Sequence, residues 1–217
     1  MALHPPNKNI VNQYSSHVEH HHHNQNLYLI IKRVIDLILS IITFILTLPV
    51  VLITMLIIKF DSPGPALFVQ ERVGLNGRTF NIYKLRTMRT DAEINGPQWA
   101  STNDPRITNV GEFLRKTRID ELPQLVNVIK GDMSIVGPRP EREFFIKKFE
   151  REIPGFSKRL LVKPGLTGWA QVNGGYELSP NEKLNLDLYY IKHSSTLLDF
   201  SIMFKTISVI FTGEGAR

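Results

Sequence analysis

Residues 34–58 read VIDLILSIITFILTLPVVLITMLII, and this stretch decides how the rest of the chain is arranged. Nineteen of its 25 residues are Val, Ile, Leu, Met or Phe, and only Asp36 is charged. As a continuous helix rising about 1.5 Å per residue, it is long enough for the roughly 30 Å hydrocarbon layer of a membrane. A helix of a soluble protein keeps a polar stripe along one side, and this stretch has none wide enough. We therefore predict that the segment lies in a membrane.

Pro49 bears on whether the segment crosses the membrane or returns to the same side. Proline removes one backbone hydrogen bond and clashes with the carbonyl four residues earlier, so it kinks or breaks a helix. Thr43 and Thr47 lie close enough to bond the freed carbonyls, which makes a break tolerable in lipid. Cations flank both ends of the segment: Lys32, Arg33 and Lys59. Because cytoplasmic flanks are enriched in Lys and Arg, this pattern favours a re-entrant helix with both ends in the cytoplasm.

Asp36 is the single charge inside the apolar segment. It follows Lys32 and Arg33 by four and three residues, the spacing of neighbours on one helix face. We interpret it as the partner of these cations in an ion pair at the membrane interface.

The sequence on either side of this segment sets the domain organisation. Residues 1–26 are polar and hold six of the seven histidines, which predicts a mobile tail. We assign residues 27–59 to the membrane segment and 60–217 to one cytoplasmic domain, since 217 residues leave little room for two. The absence of cysteine excludes disulfides, zinc–thiolate sites and thiol nucleophiles.

A basic hairpin is predicted directly after the membrane segment. Residues 66–73 and 79–88 are rich in strand formers and flank Leu75-Asn76-Gly77, and Asn-Gly between such runs is a strong hairpin signal. Residues 59–90 hold six Lys and Arg against two Asp and Glu, within a chain of net charge +6. An anionic partner is expected. Nucleic acid is not expected, because the sequence shows little aromatic interleaving and no recognised base-reading module.

Two short helices, over residues 108–118 and 121–130, are predicted to follow, the second ended by Gly131. Asp120 and Glu121 stand where this second helix begins, where acidic residues commonly cap free N–H groups. If Asp120 is the N-cap, Pro123 has no N–H to offer it, which leaves Asp120 more available for chemistry. A further amphipathic helix is predicted over residues 196–211, either packed on the core or lying in the membrane interface. The fold class is α+β, a small mixed domain with a hairpin and several short helices.

An arginine held between prolines adds a candidate phosphate ligand. Gly137-Pro138-Arg139-Pro140 fixes Arg139 on a stiff, extended backbone, and residues 163–168 read as a glycine-rich turn. Carboxylates, cations and a membrane anchor together are the inventory for metal-assisted phosphoryl transfer to a lipid.

Seven ordered blocks resemble the bacterial sugar transferases, the monotopic polyprenyl-phosphate phosphoglycosyl transferases. The blocks are Lys32-Arg33-x-x-Asp36, Tyr83-Lys84-x-Arg86-Thr87-Met88, Asp104-Pro105-Arg106, Asp120-Glu121-Leu122-Pro123-Gln124-Leu125, Gly131-Asp132-Met133-Ser134, Gly137-Pro138-Arg139-Pro140, and residues 164–174, PGLTGWAQVNG. The resemblance covers residues 32–217 in a consistent order.

This resemblance implies a reaction and a site. A sugar 1-phosphate passes from a UDP-sugar to undecaprenyl phosphate with release of UMP, as the first membrane step of capsule, exopolysaccharide or O-antigen synthesis. By resemblance Asp120 is the nucleophile, in a covalent two-step route, and Glu121 helps to hold Mg²⁺. Our candidates for phosphate contacts are Arg139, Lys84, Arg86 and Arg72. The resemblance places the enzyme in the bacterial cell membrane with its catalytic domain on the cytoplasmic face. A homo-oligomer is left open.

The chain departs from the family pattern at two positions. Members with a Ser-Pro break have a hydroxyl that reconnects the re-entrant helix, whereas here Leu48 precedes Pro49. Some small members carry an arginine linked to substrate binding after the Asn-Gly of the last block, where this chain has Gly175-Tyr176. The transferred sugar is therefore left open, and the chain reads as the minimal catalytic unit with a polar tail.

Two other functions remain open on the sequence. One is a non-catalytic, basic membrane module that regulates polysaccharide assembly, in which Asp120 and Glu121 only cap a helix. The other is a polyprenyl-phosphate glycosyltransferase, which releases UDP in place of UMP.

Overall fold

The computed structural model describes residues 22–94, 96–98, 104–175 and 178–212, a mixed fold of seven α-helices and two small sheets within those ranges. The α-helices are α1 His22–Asp61, α2 Asn109–Lys116, α3 Leu125–Lys130, α4 Glu143–Glu152, α5 Trp169–Val172, α6 Pro180–His193 and α7 Thr196–Thr212. The strands are β1 Leu67–Val73, β2 Thr79–Leu85, β3 Ser134–Val136 and β4 Gly165–Thr167. Three 3₁₀ segments, Leu75–Gly77, Ile119–Gln124 and Phe156–Leu161, connect them. The α+β class is confirmed.

Helix α1 extends through and beyond the apolar stretch. It begins at His22, five residues before the predicted boundary, and residues 1–21 of the predicted tail lie outside the described residues. Polar residues such as His and Asn carry little apolar periodicity, yet a helix that has already formed extends through them at small cost. The helix continues through Pro49, and Thr47 Oγ1 donates to the Thr43 carbonyl over 2.7 Å. That acceptor is not the Ile45 carbonyl, which is the one that Pro49 leaves without its usual donor.

The predicted hairpin is confirmed. Strands β1 and β2 pair antiparallel from Leu67 opposite Leu85 to Val73 opposite Thr79. Asn76 in the turn has φ 54° and ψ 29°, a left-handed conformation that Asn tolerates better than most residues. Strand β2 ends at Leu85, three residues before the predicted end, because Arg86 turns back towards the end of α1.

The two predicted central helices form with different starts. Thr108 caps α2, its Oγ1 accepting from Gly111 N over 3.0 Å. The second segment starts as the 3₁₀ helix Ile119–Gln124, whose N-cap is Arg118 with a left-handed φ of 58°, so Asp120 lies inside the helix and is not its N-cap. Pro123, which lacks an N–H, fits within the 3₁₀ turns better than in an α-helix interior. Gly131 ends α3 as predicted, with φ 93°.

The segment predicted as a glycine-rich turn contains a strand. Gly165–Thr167 pairs in parallel with Ser134–Val136. A Cβ on Gly137 would lie 2.4 Å from the Lys163 carbonyl, so glycine is required where the two segments cross. Sequence patterns for strands rely on side chains, and here the absence of a side chain permits the pairing.

The Asp36 ion pair with its neighbours was also wrong. Asp36 is 4% exposed and its Oδ1 accepts from the backbone N–H of Ile135 in β3 over 3.0 Å. Lys32 instead pairs with Asp199 over 2.8 Å, and Arg33 donates to the Val128 and Ile129 carbonyls at the end of α3. Each residue is separated from its partner by about 95 to 170 residues in the sequence, so a rule based on local spacing cannot find these pairs.

Candidate active site

Asp120 and Glu121 lie side by side in the 3₁₀ helix that joins α2 to α3. Asp120 is 6% exposed and Glu121 is 8% exposed, so both carboxylates are buried. Buried carboxylates are uncommon unless they are paired or used in chemistry. The left-handed turn at Arg118 redirects the chain so that both residues enter the protein.

Glu121 is held by two cations from separate elements. Lys84 Nζ on β2 lies 3.1 Å from Glu121 Oε1, and Arg139 Nη2 lies 2.5 Å from the same oxygen. The hairpin supplies Lys84, and the 137–140 segment between β3 and α4 supplies Arg139. The structure therefore brings together four of the six residues predicted from the sequence: Asp120, Glu121, Lys84 and Arg139.

The two adjacent carboxyl groups ionise differently. Burial opposes ionisation of Glu121, but the charges of Arg139 and Lys84 outweigh it and hold the pKa of Glu121 well below its usual range. Burial, followed by the negative charge of Glu121, raises the pKa of Asp120 to about 6, although Lys84, Arg115 and Arg139 partly oppose this. Two carboxylates whose pKa values are pushed apart are typical of sites where neighbours have different chemical roles.

Asp120 Oδ1 is a buried oxygen without a hydrogen-bond partner among the described residues. A buried acceptor without a donor costs folding free energy, so its retention needs an explanation other than stability. A helix-capping role would have supplied backbone donors. The oxygen is thus available to a bound molecule.

Arg139 is positioned by the crossing of two chain segments. Gly137 N donates to the Thr167 carbonyl and Gly165 N donates to the Pro138 carbonyl, both over 2.9 Å. Arg72 on β1 donates to the Pro140 carbonyl over 3.2 Å and lies 3.5 Å from Glu141 Oε2. The predicted phosphate ligand Arg72 thus contacts the segment that carries Arg139.

Arg86 lies apart from the carboxylate pair. It is 6% exposed and donates to the carbonyls of Ile58, Ser62 and Pro63, at and just beyond the C-terminal end of α1. A cation at this position satisfies carbonyls that have no partner within the helix. The structure therefore gives Arg86 a role in fixing α1 and does not place it beside Asp120.

Sequence reasoning missed two cations near the pair. The charge of Arg115 acts on Asp120 and that of Arg118 acts on Glu121. Arg115 Nε also donates to Thr87 Oγ1 over 2.9 Å, which fixes its position. Both arginines precede the carboxylates by no more than six residues, and this closeness in the sequence could have identified them as members of the site.

The donor set of this site is chemically compatible with a hard divalent cation, provided that other ligands complete its coordination. No group of three or more His, Cys, Asp or Glu converges within the described part of the chain, so a metal cage made of protein ligands alone is not present there. Mg²⁺ is usually bound by one or two carboxylates together with waters and substrate phosphates. Lys84 and Arg139 both engage Oε1 of Glu121, which leaves Oε2 outside these two ion pairs.

Helix α1 packs against the 3₁₀ helix of this site and also has an exposed apolar surface. Among the described residues, α1 is the one helix long and apolar enough to cross a membrane by length and composition. Exposed side chains on it include Ile45 at 64% and Leu46 at 72%. A contiguous exposed apolar surface of this kind marks a membrane or partner interface.

Comparisons with known proteins identify the family. The model of the bacterial sugar transferase family matches residues 27–213. A UDP-N-acetylgalactosamine-undecaprenyl-phosphate N-acetylgalactosaminephosphotransferase of Aeromonas hydrophila is 47% identical over 210 residues, covering 92% of this chain and 50% of that protein. A putative undecaprenyl-phosphate N-acetylgalactosaminyl 1-phosphate transferase of Bacillus subtilis is 54% identical over 133 residues, covering 61% of this chain and 74% of that protein.

A third relative differs in the sugar that its name gives. The UDP-glucose:undecaprenyl-phosphate glucose-1-phosphate transferase of Escherichia coli is 40% identical over 192 residues, covering 86% of this chain and 41% of that protein. The chain thus spans about half the length of the Aeromonas relative and less of the E. coli one. Since the family model matches most of the chain, the protein belongs to the bacterial sugar transferase family.

Proposed function

We propose that the protein transfers a sugar 1-phosphate from a UDP-sugar to undecaprenyl phosphate and releases UMP, as the first membrane step of exopolysaccharide or capsule synthesis. The observation that carries this proposal is the buried Asp120 oxygen, which has no partner in the described part of the chain, beside a Glu121 held by Lys84 and Arg139. The names of the relatives support the lipid acceptor and the phosphotransfer.

In the proposed first step, Asp120 attacks the β-phosphorus of the UDP-sugar. A bond forms between the carboxylate oxygen and the β-phosphorus. The bond from the β-phosphorus to the oxygen that joins it to the α-phosphorus breaks, so that UMP leaves with that oxygen and its electron pair. In the second step an oxygen of undecaprenyl phosphate attacks the same phosphorus and Asp120 leaves as a carboxylate. Because burial raises the pKa of Asp120 to about 6, the nucleophile is ionised above that pH.

The cations around the pair make the approach of a diphosphate favourable. Lys84 and Arg139 offset the charge of Glu121, and Arg115 acts on Asp120. Glu121 is the residue that would hold Mg²⁺, and the ion, when bound, offsets the negative charge of the diphosphate. Arg139 is in addition suited to phosphate contact, because its planar guanidinium matches phosphate oxygens.

We also propose that α1 enters and leaves the cytoplasmic leaflet of the bacterial membrane. Lys32 near its start pairs with Asp199, and Ile58 near its end is 2% exposed in a cluster with Leu85 and Leu114. Eight of the ten residues from 41 to 50 are exposed between these two attachments. A straight helix that packed at both ends on a convex domain would make its closest contacts in the middle, so this pattern supports a helix that leaves the domain and returns.

Product identity tests the proposal. The purified protein is incubated with undecaprenyl phosphate, Mg²⁺ and a panel of UDP-sugars that includes UDP-N-acetylgalactosamine and UDP-glucose, the sugars of the named relatives. Release of UMP is expected with at least one donor. Release of UDP would indicate a glycosyltransferase instead. No nucleotide product with any donor would favour a non-catalytic membrane module.

A further inference from the structure

Gln124 is a buried amide that the proposed chemistry has not yet used. It is 2% exposed, and its Nε2 has no hydrogen-bond acceptor among the residues that the structure describes. An amide N–H₂ taken out of water without a new partner destabilises the folded state. A Leu or Met of similar size would fill the same space without that cost. The amide therefore needs a role that a packed apolar side chain cannot perform.

The position of Gln124 connects it with the carboxylate pair. It is the last residue of the 3₁₀ helix Ile119–Gln124, three residues after Glu121. Residues three apart in a 3₁₀ helix lie on the same face. Asp120 Oδ1 in the same helix also lacks a partner within the described ranges. One short helix thus carries an unused donor, an unused acceptor and, between them in sequence, the Glu121 that contacts Lys84 and Arg139.

We propose that Gln124 Nε2 donates a hydrogen bond to a non-bridging oxygen of the phosphoryl group while that group is transferred through Asp120. This inference rests on the proposed function. Phosphoryl oxygens are acceptors without protons, so a ligand of this class supplies what Nε2 lacks. Gln124 neither gives up nor takes a proton, and the bonds made and broken remain those of the displacement at phosphorus. A fixed donor aimed at developing negative charge stabilises the transition state.

Two substitutions separate a donor role from a packing role. Gln124→Met keeps the volume and removes the donor, whereas Gln124→Asn keeps the donor and leaves a small cavity. We expect Gln124→Met to unfold at no lower temperature than the wild type, yet to release UMP about 100-fold more slowly, the scale found for loss of one such donor. Gln124→Asn should unfold at a lower temperature but retain more activity than Gln124→Met. A packing role predicts the opposite order of activities.

The wild type and an exposed glutamine serve as references. Gln98→Met, at an exposed position outside the residues placed in the site, should match the wild type. If the wild type releases no UMP, the proposed function and this inference both fail. If the wild type is active and Gln124→Met remains within twofold of it, or exceeds Gln124→Asn, only the inference is overturned. Should Gln124→Met not fold, Gln124→Leu replaces it, with the same 100-fold loss expected and the same twofold limit for rejection.

Discussion

At the scale of single residues, neighbouring carboxyl groups acquire different properties from their surroundings. Glu121 has two cations on one oxygen, while Asp120 is buried with an oxygen that has no partner among the described residues. The two cations keep Glu121 ionised, whereas burial raises the pKa of Asp120 to about 6. A fixed anion that can hold a metal ion, next to a carboxylate oxygen that is free to react, is what the proposed covalent route requires.

The first prediction concerns Asp120→Asn, which keeps the shape of the side chain and removes the nucleophile. UMP release should fall at least about 1,000-fold, the scale on which loss of an essential catalytic group acts. Wild-type protein quenched after exposure to UDP-sugar alone should carry one added sugar phosphate by mass spectrometry, and the variant none. Asp91→Asn, at an exposed position, is the control. An active Asp120→Asn variant would remove Asp120 from the covalent step.

The second prediction concerns how the stability of the wild type, compared with that of Asp120→Asn, changes with pH in the presence of EDTA. The raised pKa of Asp120 means that the folded state favours the protonated carboxyl. Its stabilising contribution is present below the unfolded pKa of about 4 and is lost as the pH rises through 6. Between pH 4 and 6.5 the free energy of unfolding of the wild type should therefore fall relative to that of Asp120→Asn. If the free energies of unfolding of the two proteins change equally with pH across this range, the surroundings do not raise the pKa of Asp120.

The metal proposal predicts that EDTA abolishes UMP release and that Mg²⁺ restores it. Glu121→Gln should raise the Mg²⁺ concentration required for half-maximal activity, because a neutral amide binds a hard cation more weakly. Circular dichroism before and after EDTA checks that the fold is unchanged. Full turnover in excess EDTA would exclude the ion from the reaction.

At the scale of elements, α1 is joined to the catalytic elements by arginines at both ends. Arg33 on α1 donates to the Val128 and Ile129 carbonyls over 2.7 and 2.9 Å, at the end of the helix that follows the carboxylate pair. Arg86 donates from the end of β2, two residues after Lys84, to carbonyls at the end of α1. Side-chain hydrogen bonds thus connect α1 with the chain segments that adjoin Lys84 and Glu121.

Arg86→Ala tests this attachment. Removing a buried cation that binds several carbonyls leaves those acceptors without donors, so the free energy of unfolding should fall by about 2–4 kcal/mol. Arg89→Ala, whose side chain is 61% exposed, should change it by less than about 0.5 kcal/mol. Urea denaturation in detergent measures both. A loss of activity in Arg86→Ala at unchanged stability would instead support the phosphate contact predicted from the sequence.

Helix α7 combines both locations considered for it from the sequence. Ile202 is fully buried in a cluster with Val136 and Tyr190, whereas Leu197 and Phe204 are 83% and 70% exposed. We expect the exposed face to contact lipid, because apolar side chains on one helix face bind the membrane interface. A fluorophore on a cysteine at Phe204 in proteoliposomes should be quenched by brominated lipids, and one at Lys147 on α4 should not. Equal quenching at the two positions would contradict this.

At the scale of the whole molecule, the sequence predicted what local patterns determine. The hairpin follows from Asn76-Gly77, and α1 follows from a long apolar run. The partner of Asp36, the capping role of Arg86 and strand β4 were missed, because each depends on residues far along the chain. Of the site, Asp120, Glu121, Lys84 and Arg139 were found by residue type and family resemblance. That Gln124 Nε2 has no acceptor within the described ranges became visible only in three dimensions.

The membrane topology is the last prediction. Helix α1 has 40 residues and, if straight, would be about 60 Å long, twice the hydrocarbon thickness. A re-entrant path uses this length within one leaflet and keeps both ends with the domain, whereas a spanning path would place Lys32 and Asp199 on opposite sides of the membrane. Since UDP-sugars are cytoplasmic, the re-entrant path also places residues 1–21 in the cytoplasm.

A single cysteine at Ser16 in this cysteine-free chain reports the side directly. We expect an impermeant maleimide not to label it in right-side-out spheroplasts and to label it after lysis, as it should a control cysteine at Asp91 in the catalytic domain. Labelling of Ser16→Cys before lysis, with Asp91→Cys protected, would show that α1 spans. Pro49→Ala restores the missing backbone donor and favours a straight helix. That variant should therefore expose Ser16→Cys in part of the population, because a straight apolar helix of this length is stable across the bilayer and proline no longer opposes straightness.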